Sequence, residues 1–194
     1  MDWLMLFSLA VMWTAAVPTN AQTTRATAKP VSLAEFVIQQ FGSTCTPLPA
    51  ARVQTGDLDG DGIEDAVIAA RCLNPLPDQA DHNFTVIDPY NEFYGYGNVK
   101  VTSGFVTDTR EQRGLCVLII HGAEAGAWRA VAPRAKFIVI NLPFETVAVK
   151  RLALKKKTVS AVFAEDPGEG TGIISAVFWD GKKYRYMPMG SSLE

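Results

Sequence analysis

Histidine and cysteine are scarce in this chain: His82 and His121, with Cys45, Cys72 and Cys116, are all it has among 194 residues. Two histidines with no ordered spacing exclude the common zinc ligand sets. Three cysteines are too few for a disulfide-dense scaffold. An excess of one charge is lacking as well. Eighteen basic residues stand against twenty acidic ones, a net of −2, so there is no basic field of the kind that holds nucleic acid. No Gly-rich phosphate loop occurs, and no Gly-x-Ser-x-Gly elbow. Predicted strands do not alternate with helices, which argues against a parallel βαβ sheet. A closed propeller is excluded by length, because each blade takes about 40 to 60 residues.

Long apolar runs are also missing from most of the chain. The run Trp3 to Val17 falls short of the about 20 residues a membrane span needs. Pro18-Thr19-Asn20-Ala21 follows it, and Thr19-x-Ala21 has the small residues of an export cleavage site, cut before Gln22. The segment before the run departs from the usual pattern, with Asp2 and no Lys or Arg. No cysteine lies near the cut, so no lipid anchor is implied. The expected organisation is a signal peptide over 1–21, a flexible leader over 22–31 and one β-rich domain over 32–194. That gives a secreted or periplasmic protein with no membrane attachment after cleavage.

What the chain does have is acid in one place. Asp57, Asp59, Asp61, Glu64 and Asp65 fall within nine residues, with Gly60 and Gly62 among them and nothing basic between. Such a cluster is either fully solvated, as Asp/Gly turns often are, or wrapped around a cation. The alternate spacing favours the cation. Side chains at positions 1, 3 and 5 of a tight loop converge on one point, and hard divalent ions take six to eight oxygens. Gly62 follows the third acid, where the backbone turns sharply. Magnesium is the weaker choice, since it dehydrates reluctantly. An EF-hand would need an acid at position 12, and Ile68 stands there. The flanks Arg52 to Thr55 and Ala66 to Ala70 read as strands.

Strand, acidic loop and strand over residues 52–72 resemble the FG-GAP/VCBS-type calcium repeats of integrin-like propeller blades, whose hairpin reads Asp-x-Asp-x-Asp-Gly-x-x-Asp. Asp57, Asp59, Asp61, Gly62 and Asp65 match it position by position. The resemblance implies Ca2+ held by Asp57, Asp59, Asp61 and Asp65, with the Ile63 carbonyl as a further ligand. It covers about twenty residues, and no second copy of the loop occurs. A calcium hairpin embedded in a different small domain is therefore expected.

Around that hairpin the chain reads as mainly β. One helix opens the domain, with Ser32-Leu33-Ala34-Glu35 as a capping box and Gly42 as its stop. Its residues Leu33, Phe36, Val37 and Phe41 are expected to lie on a sheet. Ser43 to Pro49 and Leu73 to Asn83 read as loops. Strands are predicted at Phe84 to Asp88, Val99 to Val101, Leu115 to His121, Lys136 to Asn141, Val147 to Leu154, Thr158 to Ala164, Gly172 to Trp179 and Tyr184 to Met187. A hairpin turn starts at Asp180-Gly181. The expectation is an antiparallel sheet or small sandwich or meander with one N-terminal helix. In an oxidising compartment three cysteines imply one disulfide and one free thiol. Cys45–Cys72 is the favoured pair because it brackets the hairpin, and Cys72–Cys116 is the rival.

Chemistry beyond the ion has little support. Ile119-Ile120-His121-Gly122 resembles the oxyanion-side loop of α/β-hydrolases, without the serine elbow that fold requires. Cys116 has no base nearby in sequence. Glu145, Asp166 and Glu169 could offer a carboxylate pair, as any acidic surface could. Tyr90, Phe93, Tyr94 and Tyr96 form either a stacking surface for sugars or the edge of the core. Lys155-Lys156-Lys157 reads as a solvated turn. The expectation is an exported calcium-binding β domain, its ion structural, non-enzymatic and engaged in protein, glycan or surface contact. The alternative is an exported hydrolase with a structural calcium site.

Overall fold

The computed structural model describes residues 31–96, 113–124, 126–166 and 173–191. The expected signal peptide, the expected leader as far as Pro30, the Val99 to Val101 strand and Glu169 lie outside them. Helix α1, Leu33–Phe41, begins as its sequence dictates: the Ser32 hydroxyl accepts from Glu35 N, and the Glu35 carboxylate accepts from Ser32 N at 2.8 Å. Gly42 ends it at φ 86°, in the left-handed region where glycine meets no Cβ penalty. Among the described residues no helix is long and apolar enough to cross a membrane.

The protein is mainly β. Strands β1 (Cys45–Pro47), β2 (Gln54–Gly56), β3 (Asp65–Cys72), β4 (Thr85–Ile87), β5 (Leu115–His121) and β6 (Ala135–Ile140) form one sheet in the order β1-β3-β5-β6-β4, with β2 also on β3. Strands β7 (Thr146–Ala153), β8 (Thr158–Asp166), β9 (Ile173–Trp179) and β10 (Tyr184–Ser191) form a second sheet as a simple antiparallel meander. Lys155-Lys156-Lys157 is the exposed connection between β7 and β8. Asp180 closes the last hairpin by accepting from the backbone N–H of Lys182 and Lys183.

Three details differ from the sequence expectation. The sheets are not wholly antiparallel, because β4 pairs parallel to β6. Ser43 to Pro49 contains β1, a three-residue strand with Cys45 opposite Cys72; it is too short to leave a periodic trace. Two short helices add to the one expected, α2 (Gln79–His82) in the predicted loop Leu73 to Asn83 and α3 (Pro89–Phe93) within the aromatic cluster. For α3 the signal was present: Asp88 accepts from Asn91 N and Pro89 opens the helix, a favoured pairing of cap and first residue.

The period of two along β3 and β5 sorts their side chains onto two apolar layers. Ile68, Leu118, Ile120, Ile138 and Ile140 face α1, packing with Val37, Phe41, Phe84 and Trp128. Leu33 and Phe36 also pack against this layer. Val67, Val117, Ile119 and Val139 face the second sheet, packing with Val162, Val177, Tyr184 and Tyr186. The first sheet is thus covered on both faces, which explains why β5 reads as an unbroken apolar run. Tyr90 packs against the inter-sheet layer, while Phe93, Tyr94 and Tyr96 are 52%, 49% and 70% exposed.

The disulfide is Cys45–Cys72. Cys116 is a free, fully buried thiol on β5 with its sulfur 3.1 Å from that of Cys72. Burial pushes the Cys116 thiol up, keeping it protonated and unreactive. The native protein is expected to leave Cys116 unlabelled by iodoacetamide at pH 8 and to label one thiol per chain after denaturation without reductant. Mass spectrometry of the labelled peptide checks this, and rapid labelling of the folded protein would contradict the burial.

Candidate metal centre

The acidic loop runs from the end of β2 to the start of β3, and Gly56 opposite Asp65 closes the ladder on which it sits. The loop places its acids by local hydrogen bonds. Asp57 accepts from Gly60 N at 2.7 Å and Gly62 N at 3.1 Å. Asp59 Oδ1 accepts from Asp61 N at 3.3 Å, and Asp61 Oδ1 from Ile63 N at 2.8 Å. Gly60 and Gly62 have φ of 82° and 85°, conformations that a side chain would strain. As a result, carboxylate oxygens of Asp57, Asp59 and Asp61 lie within 4.8 Å of one another.

Asp65 has a different setting. It is fully buried at the start of β3 and accepts from Leu58 N at 2.7 Å and Gly122 N at 2.8 Å. It does not join the outer three acids; an oxygen of Asp65, one of Asp59 and a ring nitrogen of His121 form a second cluster within 4.8 Å. Asp59 belongs to both. Ile63 is half-buried, its amide engaged by Asp61. Glu64 points elsewhere and accepts from Trp128 Nε1 at 3.1 Å.

Sequence reasoning missed three partners. His121 ends β5 on the same face as Val117 and Ile119, so it points between the sheets. Its Nδ1 lies 2.9 Å from Asp59 Oδ2 and its Nε2 2.6 Å from Tyr184 Oη. Phe137, Trp179 and Tyr184 surround its ring. The second is Arg134, before β6, whose guanidinium pairs with Asp59 and, at 2.5 Å, with Asp61. No local pattern links residue 134 to residue 59. The third is Gly122. A Cβ there would stand 2.5 Å from the Glu64 carbonyl and 2.8 Å from Ile63 Cγ2, so the loop packs directly on this glycine.

The electrostatics follow from burial. Desolvation lowers His121 to about 4, against the pull of Asp61 and Asp57, leaving a neutral ring. Desolvation raises Asp65 to about 6, opposed by its Gly122 and Leu58 donors and helped by Asp61 and Asp57. Asp59 is the most exacting member. Its side chain is only 3% exposed, and its Oδ2 is shut from water with His121 Nδ1 and the Arg134 guanidinium against it.

A buried carboxylate oxygen, a converging trio of acids and two open left-handed glycines suit a hard cation with oxygen ligands. Asp57, Asp59 and Asp61 can each supply an oxygen to one ion. No protein-family model matches the chain, and the searches found no similar curated protein or solved structure.

Two outcomes follow. Gly122→Ala is expected to destabilise the protein by about 1–3 kcal/mol, because the added methyl forces the loop backbone away from β5; urea unfolding measures it. The second concerns pH in EDTA. His121 binds its proton more weakly folded than unfolded, so its contribution is complete above pH 6.5 and falls away toward pH 4. Asp65 binds its proton more tightly folded, so its contribution is complete below pH 3.8 and falls away as pH rises through 6. The two oppose each other over that window. Replacing His121 by Gln leaves Asp65 alone, and the variant's unfolding midpoint is expected to fall between pH 4 and 6 more steeply than the wild type's.

Proposed function

We propose that this chain is an exported calcium-binding β domain in which the ion closes the Asp57–Asp65 hairpin and fastens it to the end of the sandwich. The observation that carries the reading is the convergence of the Asp57, Asp59 and Asp61 oxygens within 4.8 Å of one another, with Asp59 Oδ2 shut from water and a single guanidinium, Arg134, against two of the three acids. Three converging carboxylates that share one guanidinium repel one another, and a divalent ion coordinated there would remove that cost. Asp57, Asp59 and Asp61 are the outer ligands, with the Ile63 carbonyl completing the outer set. Asp65 holds the loop in shape and offers its remaining lone pairs from the inner side. Calcium sites outside the cytosol can be weak, because the ion is more abundant there, and the Cys45–Cys72 bridge suits the same oxidising address.

The domain acts by contact rather than by turnover in this reading, with a protein or glycan surface as partner. The exposed Phe93, Tyr94 and Tyr96 offer aromatic faces of the kind that engage such surfaces. A hydrolase would need a reachable nucleophile and base. Cys116 and His121 lie on opposite faces of β5, one in the layer under α1 and the other between the sheets, and their side chains are buried. The cleft of about 250 Å³ lined by Leu48, Arg52, Gln54, Val67, Glu145 and Val147 brings one acid and no histidine or cysteine.

Thermal unfolding in EDTA and in millimolar CaCl2 tests the reading. The midpoint is expected to rise with calcium, because a ligand that binds only the folded state stabilises it, by about 2.7 kcal/mol at a hundredfold excess over Kd. In the Asp59→Ala/Asp61→Ala double variant the rise is expected to vanish. Equal shifts in both proteins would place the ion elsewhere.

A further inference from the structure

The acidic loop already has a cation, Arg134. The base of this residue is fixed: it follows the β5–β6 connection, and its backbone N–H donates to the His121 carbonyl at 3.0 Å. Its head reaches back to the loop, with Nη2 against Asp59 Oδ2 and Nη1 2.5 Å from Asp61 Oδ2. The arginine side chain is 47% exposed, whereas the Asp59 side chain it meets is 3% exposed. A fixed base and a half-exposed head let the guanidinium leave toward solvent while the acids stay. Arg134 brings one positive charge to two of the three converging acids, so the guanidinium neutralises the loop only in part.

Asp59 and Asp61 are two of the three acids that converge. A guanidinium has donors only, so it and an ion that needs six to eight oxygens compete for the Asp59 and Asp61 oxygens that the guanidinium holds. We propose that Arg134 is an internal competitor for the metal: it occupies the loop when calcium is absent, swings out when calcium enters, and thereby lowers the affinity of the site while keeping the ion-free loop folded. This inference rests on the calcium reading above and adds its regulation. Observed affinity is the intrinsic affinity multiplied by the fraction of loops the arginine has vacated. Lysine would compete less well, because it keeps the charge and loses the fork that spans two carboxylates.

Calorimetric titration of calcium chloride into metal-stripped wild-type protein, Arg134→Gln and Arg134→Lys tests it, with unfolding midpoints measured alongside in EDTA and in saturating calcium. Arg134→Gln is expected to bind calcium about tenfold more tightly than wild type, as for a partly exposed ion pair removed from competition, with Arg134→Lys between them. In EDTA the Gln variant is expected to melt below wild type, and in saturating calcium the gap is expected to close. If Arg134→Gln does not fold in EDTA, recovery of its β circular dichroism on adding calcium supports the proposal; failure to recover passes the decision to the Lys titration, where affinity equal to or below wild type overturns it. Calcium binding by Arg134→Gln that is no tighter than wild type overturns the competition and leaves the calcium site standing. No heat from any of the proteins at millimolar calcium overturns both.

Discussion

One carboxylate with no solvent contact organises this end of the molecule. Asp65 accepts from Leu58 N and Gly122 N, and those donors lie on the acidic loop and just past the end of β5. A buried acid is tolerated only when its oxygens are hydrogen-bonded, so the two amides and the acid require one another. Leu58 in turn is buried in the layer between the sheets. The loop is therefore not an appendage on a finished hairpin. Its backbone completes the coordination of a side chain in the core, and the tight seat on Gly122 leaves it little room to shift.

From that anchor the interactions spread to both sheets. Asp59 meets His121 of the first sheet, and His121 meets Tyr184 of the second. Around the imidazole, Phe137 and Trp179 close off water, which is why the ring is neutral. A chain of polar contacts from loop to second sheet, set within an apolar layer, couples the electrostatic state of the loop to the packing of the sandwich. An unpaired member of such a chain costs more than it would at the surface. The charge of the loop and the packing of the sheets are then two descriptions of one set of contacts.

Much of this was legible in the residues. The capping box of α1, the alternation of β7 and the bounds of β5 follow from local rules, and so does the convergence of Asp57, Asp59 and Asp61, because four or five residues are enough to encode an Asx-rich turn around two glycines. The disulfide was legible because Cys45 and Cys72 bracket one hairpin. Position 9 of the loop was read from its resemblance as one ligand among equals. The structure adds that Asp65 accepts from two backbone amides, which no one-dimensional pattern reports. His121 and Arg134 were missed as partners of the loop for the same reason: they reach Asp59 across 62 and 75 residues of chain, counting from Asp59 to His121 and Arg134. The parallel pairing of β4 with β6 escaped because a three-residue strand carries no direction in its composition.

The three sulfur atoms carry a consequence for how the chain keeps this state. Cys72 bonds Cys45 on one neighbouring strand while the thiol of Cys116, on the other neighbouring strand, lies 3.1 Å from it. Attack by Cys116 on Cys72 would release Cys45 and yield an isomeric crosslink, with no oxidant consumed. Both arrangements tie β3 to an adjacent strand, so the two crosslinks differ only in which edge of β3 they fasten. In the closed core desolvation keeps Cys116 protonated, and the interior preserves the Cys45–Cys72 bond by denying the shuffle its thiolate.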